Sequence, residues 1–66
     1  MATFSVVRQG DAWVVLADGK RRGRFAYKVD AEETAIRLSA RAAADGTAPE
    51  VLVQTPWGEM AALKIG

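Results

Sequence analysis

The 66-residue chain contains no cysteine and no histidine. The first absence excludes disulfides and thiolate metal sites. The second removes the commonest remaining metal ligand and the usual general base near neutral pH. An excess of charge of one sign is missing too: nine basic groups face eight acidic ones, for a formal net charge of +1. No apolar run approaches the roughly 18–20 residues that a membrane-crossing helix needs. The N-terminal stretch Met1-Ala2-Thr3-Phe4-Ser5-Val6-Val7-Arg8 lacks the basic region followed by an apolar core that marks a secretion signal. A cytoplasmic protein with no membrane partner is the expectation.

These absences weigh most heavily against catalysis. A nucleophile needs a base beside it, and Ser5 and Ser39 would have only lysine or aspartate to serve them. Glu32 and Glu33 are adjacent, so on a helix they point about 100° apart, which suits a helix terminus better than a paired-carboxylate site. Gly19-Lys20 lacks the upstream glycine and the following Ser or Thr of a phosphate loop. No enzyme activity, catalytic residue, cofactor, metal or small-molecule substrate is expected.

What is present reads as one small α+β domain over residues 1–66. Half the chain is apolar, but a chain this short buries only about 60% of the surface its unfolded form exposes. Small domains usually need a further source of stability; with disulfides and thiolate metal sites excluded, self-association remains.

Phe4-Ser5-Val6-Val7-Arg8 is β-branched and partly alternating, and Trp13-Val14-Val15-Leu16-Ala17 is a near-continuous apolar run of strand length. Asp18-Gly19 predicts a tight hairpin, because the turn needs positive φ. Residues 24–29 alternate, with Phe25, Tyr27 and Val29 on one side and Arg24, Ala26 and Lys28 on the other. Asp30-Ala31-Glu32-Glu33 reads as a capping box, starting a helix at about residues 31–45 that ends at Gly46. Ala31, Ala35, Leu38 and Ala42 fall on one stripe of that helix. Residues 50–55 and 60–65 read as two more strands around the turn Pro56-Trp57-Gly58-Glu59. The expected architecture is an antiparallel sheet in β-β-β-α-β-β order with one helix packed on one face.

In this order the chain resembles a small bacterial family known as domain of unknown function 2188. The residues carrying the resemblance are Val6-Val7, Trp13 with Val15, Gly19, Asp30 with Glu33, Ala42 with Gly46, Glu50-Val51-Leu52-Val53, Gly58 and Met60. The family usually caps its helix with Thr, where this chain has Asp30, and its turn is less basic than Lys20-Arg21-Arg22-Gly23-Arg24. The resemblance implies a compact sheet-plus-helix domain and brings no catalytic residues with it.

Two candidate surfaces follow from the residues. Residues 1–28 hold six basic and two acidic groups, whereas residues 29–66 hold three basic and six acidic. Lys20, Arg21, Arg22, Arg24 and Lys28 lie on or beside one hairpin, a candidate ridge for nucleic-acid backbone. An exposed basic turn equally serves solubility and protects a sheet edge. Second, one helix covers only one face of a sheet whose strands carry apolar groups on both. Val14, Leu16 and Leu52 are therefore candidates for an interface, most simply a homodimer. Trp57 reads as a lid on the edge of the core or, if exposed, as an anchor for the same partner. A non-catalytic, self-associating interaction domain is the first functional expectation, and nucleic-acid-backbone binding the alternative.

Overall fold

A computed structural model describes residues 2–63. The elements run β1 (Ala2–Gln9), β2 (Ala12–Ala17), β3 (Lys20–Phe25), α1 (Lys28–Ala44), β4 (Pro49–Gln54) and β5 (Met60–Ala62). Five strands form one sheet in the order β3-β2-β1-β4-β5. The fold is α+β, with the expected order of elements and one helix among the described residues. The last strand is shorter than the sequence suggests, and Lys64 and Ile65 of the expected span lie outside the described residues.

The sheet is mixed rather than wholly antiparallel. β1 pairs antiparallel with β2, β2 with β3 and β4 with β5, but β1 and β4 are parallel, with Phe4 opposite Val51 and Val6 opposite Val53. The crossover dictates this. Two hairpins leave β3 running the same way as β1; α1 then carries the chain back, so β4 starts from the end at which β3 started. Because β4 takes the free side of β1, the two are necessarily parallel.

Both tight turns follow their sequence. In the β2–β3 hairpin Asp18 and Gly19 have φ of 51° and 85°, the doubly positive pattern of a type I′ turn. Asp18 also fastens this turn to the start of β1: its N–H donates to the Thr3 carbonyl at 2.8 Å, and its Oδ1 accepts from the Thr3 N–H at 2.9 Å. At the far end of α1, Gly46 takes φ 86°. The Gly46 N–H donates to the Ala43 carbonyl and the Thr47 N–H to the Ala42 carbonyl at 3.0 Å, which together close a Schellman motif.

The start of the helix departs from expectation. Strand β3 ends at Phe25, and α1 begins at Lys28 with Tyr27 as an extended N-cap that offers no side-chain hydrogen bond. The Asp30–Glu33 capping box does not form. Asp30 lies in the first turn, where its charge still suits the positive end of the helix dipole, and Glu33 pairs with Arg37 at 3.2 Å instead. The alternation through residues 25–29 is therefore broken: Phe25 packs against the core, while Tyr27 and Val29 are exposed.

The core lies between the sheet and α1. Phe4 and Val6 of β1, Val15 of β2, and Val51 and Val53 of β4 meet Ala31 and Ala35 of α1. Trp13, Ala17, Phe25, Leu38 and Ala42 pack around them, half-buried. Alanine at two of the three buried helix positions lets the helix backbone approach the valine layer closely. Ser39 is also buried there, and its Oγ donates to the Ile36 carbonyl at 2.8 Å, so no polar atom is left unpaired.

Candidate functional site

Side chains alternate across a strand, so the core residues fix which face is covered. Phe4, Val6, Val15, Val51 and Val53 point at the helix; Ser5, Val7, Val14, Leu16 and Leu52 point away from it. The register lines them up across the sheet. One row reads Arg21, Leu16, Ser5, Leu52 and Ala62, from β3 to β5. The next begins Arg24, Val14 and Val7. Leu16, Leu52 and Val7 are half-buried, and no element among the described residues is laid over them.

Val14 belongs to this face but is 0% exposed. It is sealed by its own chain and underlies the surface instead of presenting itself to a partner, a correction to its expected contact role. Val7, not singled out from the sequence, shares the face and is partly accessible. Its signal was present in the alternation of β1, where Phe4 and Val6 take one side and leave Val7 on the other.

The basic cluster is divided by the structure. A bulge interrupts the β2–β3 register between Val15 and Leu16, so Gly23 faces Val15 while Arg21 faces Leu16. Arg21 and Arg24 are three residues apart and would ordinarily take opposite faces; the extra residue brings both onto the helix-free face. Lys20, Arg21, Arg22 and Arg24 are all exposed along the edge strand β3. Lys28 does not join them. It opens α1 on the other side of the sheet, and its ammonium lies 5.6 Å from the centre of the Trp13 ring. The expected common face of Arg24 and Lys28 is therefore not formed, because the strand that would have aligned them ends at Phe25.

Trp57 is 73% exposed in the β4–β5 connection, so it does not cover the core edge. Its indole N–H donates to Glu59 Oε2 at 3.3 Å. The turn beneath it is well tied: the Thr55 N–H donates to the Glu59 carbonyl at 2.7 Å, and the Gly58 N–H to the Thr55 carbonyl at 3.0 Å. Met60, just after it, is exposed as well.

Compared with family models, with curated proteins and with solved structures, the chain matches none. No helix among the described residues is long and apolar enough to cross a membrane.

Proposed function

We propose that the protein is a non-catalytic interaction domain that pairs with a second copy of itself through the helix-free face of its sheet. The observation that carries this reading is the row Leu16–Ser5–Leu52 with its neighbour Val7, half-buried and with no helix or strand among the described residues laid over it. The register supports a second copy as the occupant, because Leu16 on β2 and Leu52 on β4 flank Ser5 of the central strand on either side. The β3 side of the face is basic, with Arg21 and Arg24, while β4 on the other side of the central strand contributes Glu50 to the same face. A two-fold axis parallel to the strands lays β2 of one copy over β4 of the other and β3 over β5, so Leu16 meets Leu52 in both halves of the interface and the apolar rows coincide.

Size sets the strength. Five strands span about 24 Å, and six residues of strand about 20 Å, giving about 500 Å² per copy and about 1,000 Å² for the pair. That is near the lower bound for a specific interface, so micromolar association is expected. Sedimentation equilibrium tests it: the wild type forms a dimer at tens of micromolar and Leu52→Asp remains monomeric and folded. A wild type that stays monomeric at about 200 µM contradicts the proposal.

A second reading is favoured by the bulge that gathers Arg21 and Arg24 on one face beside exposed Lys20 and Arg22. In it, β3 docks against nucleic-acid backbone without reading sequence. It predicts a mobility shift of short DNA or RNA duplexes at about 50 mM salt that is lost at about 300 mM and in a variant with Lys20, Arg21, Arg22 and Arg24 all replaced by Gln. No shift at the lower salt rejects it.

A further inference from the structure

At the end of the sheet where β1 and β4 finish, on the face that carries the helix, the structure holds a cleft of about 210 Å³ lined by Arg8, Trp13, Lys28, Gln54, Thr55, Pro56 and Gly58. We propose that it binds a small organic carboxylate with a flat apolar body, a single aromatic or conjugated acid, with its plane against the Trp13 indole and its carboxylate held by Arg8 and Lys28.

The register builds the site. Arg8 and Trp13 are directly paired across β1 and β2, both pointing to the helix side. Lys28, the first residue of α1, places its ammonium 5.6 Å from the Trp13 ring. An aromatic wall and two cations thus converge from three elements. Neither cation has a carboxylate partner: among the described residues the one ion pair is Arg37 with Glu33, on the outer face of the helix, while Lys28 rests over the Trp13 ring, so a ligand stacking there takes its place on the indole and offers the ammonium a carboxylate instead. Arg8 uses its Nε to donate to the Gly10 carbonyl at 3.2 Å, which orients the guanidinium and leaves its terminal amino groups for a ligand. Gln54 accepts the Arg8 backbone N–H at 2.8 Å through Oε1, so the polar rim is fixed by the chain's own bonds.

The chemistry selects the ligand. Two cations without carboxylate partners ask for an anion; the planar indole asks for a flat apolar group that it can stack on. The volume equals that of roughly seven water molecules at liquid density, well short of the usual drug-sized pocket. One ring and one carboxylate fill it, and a mononucleotide does not. This site is separate from the interface proposed above, since Arg8 and Trp13 lie on the opposite face of the sheet from Leu16 and Leu52. No sequence pattern groups Arg8, Trp13 and Lys28, since Lys28 reads there as part of the basic hairpin; only the register and the early start of α1 bring them together.

The test is a titration of the ¹⁵N-labelled full chain with cinnamate, with cinnamamide as the uncharged control. The chain has two tryptophans; Trp57 sits between the lining residues Pro56 and Gly58 but does not line the cleft itself, so the two indole signals are read against each other. Cinnamate is expected to move the Trp13 indole signal, saturating at roughly 0.1–5 mM as suits so few ligand atoms, and to move it much further than that of Trp57. Cinnamamide binds at least about fivefold more weakly, and Arg8→Gln and Lys28→Gln each weaken cinnamate by a similar factor. Lys28→Arg retains binding, and Leu52→Asp does not alter it. N-acetylphenylalanine and a tetrapeptide ending in free phenylalanine identify the source of the carboxylate: tighter binding of the peptide assigns it to a chain end, tighter binding of the amino acid to a free acid. An unmoved Trp13 signal at about 10 mM cinnamate, equal binding of acid and amide, or equal binding by Arg8→Gln and Lys28→Gln with an undisturbed backbone spectrum overturns the proposal.

Discussion

Ala35 has no exposed surface and lies where α1 meets the valines of the sheet. Its methyl group is as much as that contact accommodates. Ala35→Leu is expected to lower the unfolding free energy by about 1–3 kcal/mol through overpacking, measured by urea denaturation; an unchanged midpoint would mean that the helix sits farther from the sheet. Tyr27 is the opposite case. It caps the helix without a side-chain acceptor and is 69% exposed, so little packing is lost when it is replaced. Tyr27→Asp adds the missing acceptor and a charge at the favourable end of the dipole, and is expected to stabilise the fold by about 0.5–1 kcal/mol. At this scale the sequence was legible wherever a residue had one plausible environment: Ala31, Ala35, Leu38 and Ala42 form the stripe that their spacing implies. It misled at Asp30, whose capping pattern with Glu33 is real chemistry in the wrong place. Burial of Ala31 over the sheet, with the Ala31 N–H bonded to the Tyr27 carbonyl at 3.3 Å, sets the start earlier.

Elements behave similarly. Turn chemistry marked the ends that depend on positive φ, so the Asp18-Gly19 hairpin and the stop at Gly46 were both readable. Gly46→Ala places a Cβ at φ 86° and is expected to cost about 1 kcal/mol, seen as a lower thermal midpoint. Strand β3 was harder. Its alternation continues past Phe25 in the sequence, but the chain turns out of the sheet there to enter α1, which strands Tyr27 and Val29 in solvent. The bulge beside Val15 and Leu16 has no sequence signature beyond Gly23, yet it decides which face Arg21 takes. Gly23 has a further constraint: a Cβ there would approach the Phe25 ring to 2.9 Å. Gly23→Val is therefore expected to displace Phe25 and destabilise by about 1–2 kcal/mol. The same variant should lose the Phe25 packing signals in a methyl–aromatic NMR spectrum.

For the molecule as a whole, the number of layers was legible and the direction of one strand was not. A single capped apolar stripe among five strand-like segments implies one helix on one face. Alternation alone is blind to whether a neighbour runs parallel or antiparallel, so the β1–β4 pairing became visible only with the crossover in place. The helix-free face inherits both lessons: its apolar residues could be named from the sequence, but the burial of Val14 and the division of the cations between the two sides could not. The interface reading is tested most directly by isotope-filtered NOE measurement on a mixture of labelled and unlabelled chains. Contacts are expected from Leu52 methyl groups of one chain to Leu16 and Arg21 of the other, as a two-fold axis along the strands requires; intermolecular contacts confined to β5, or none at concentrations near a millimolar, would contradict a dimer through this face.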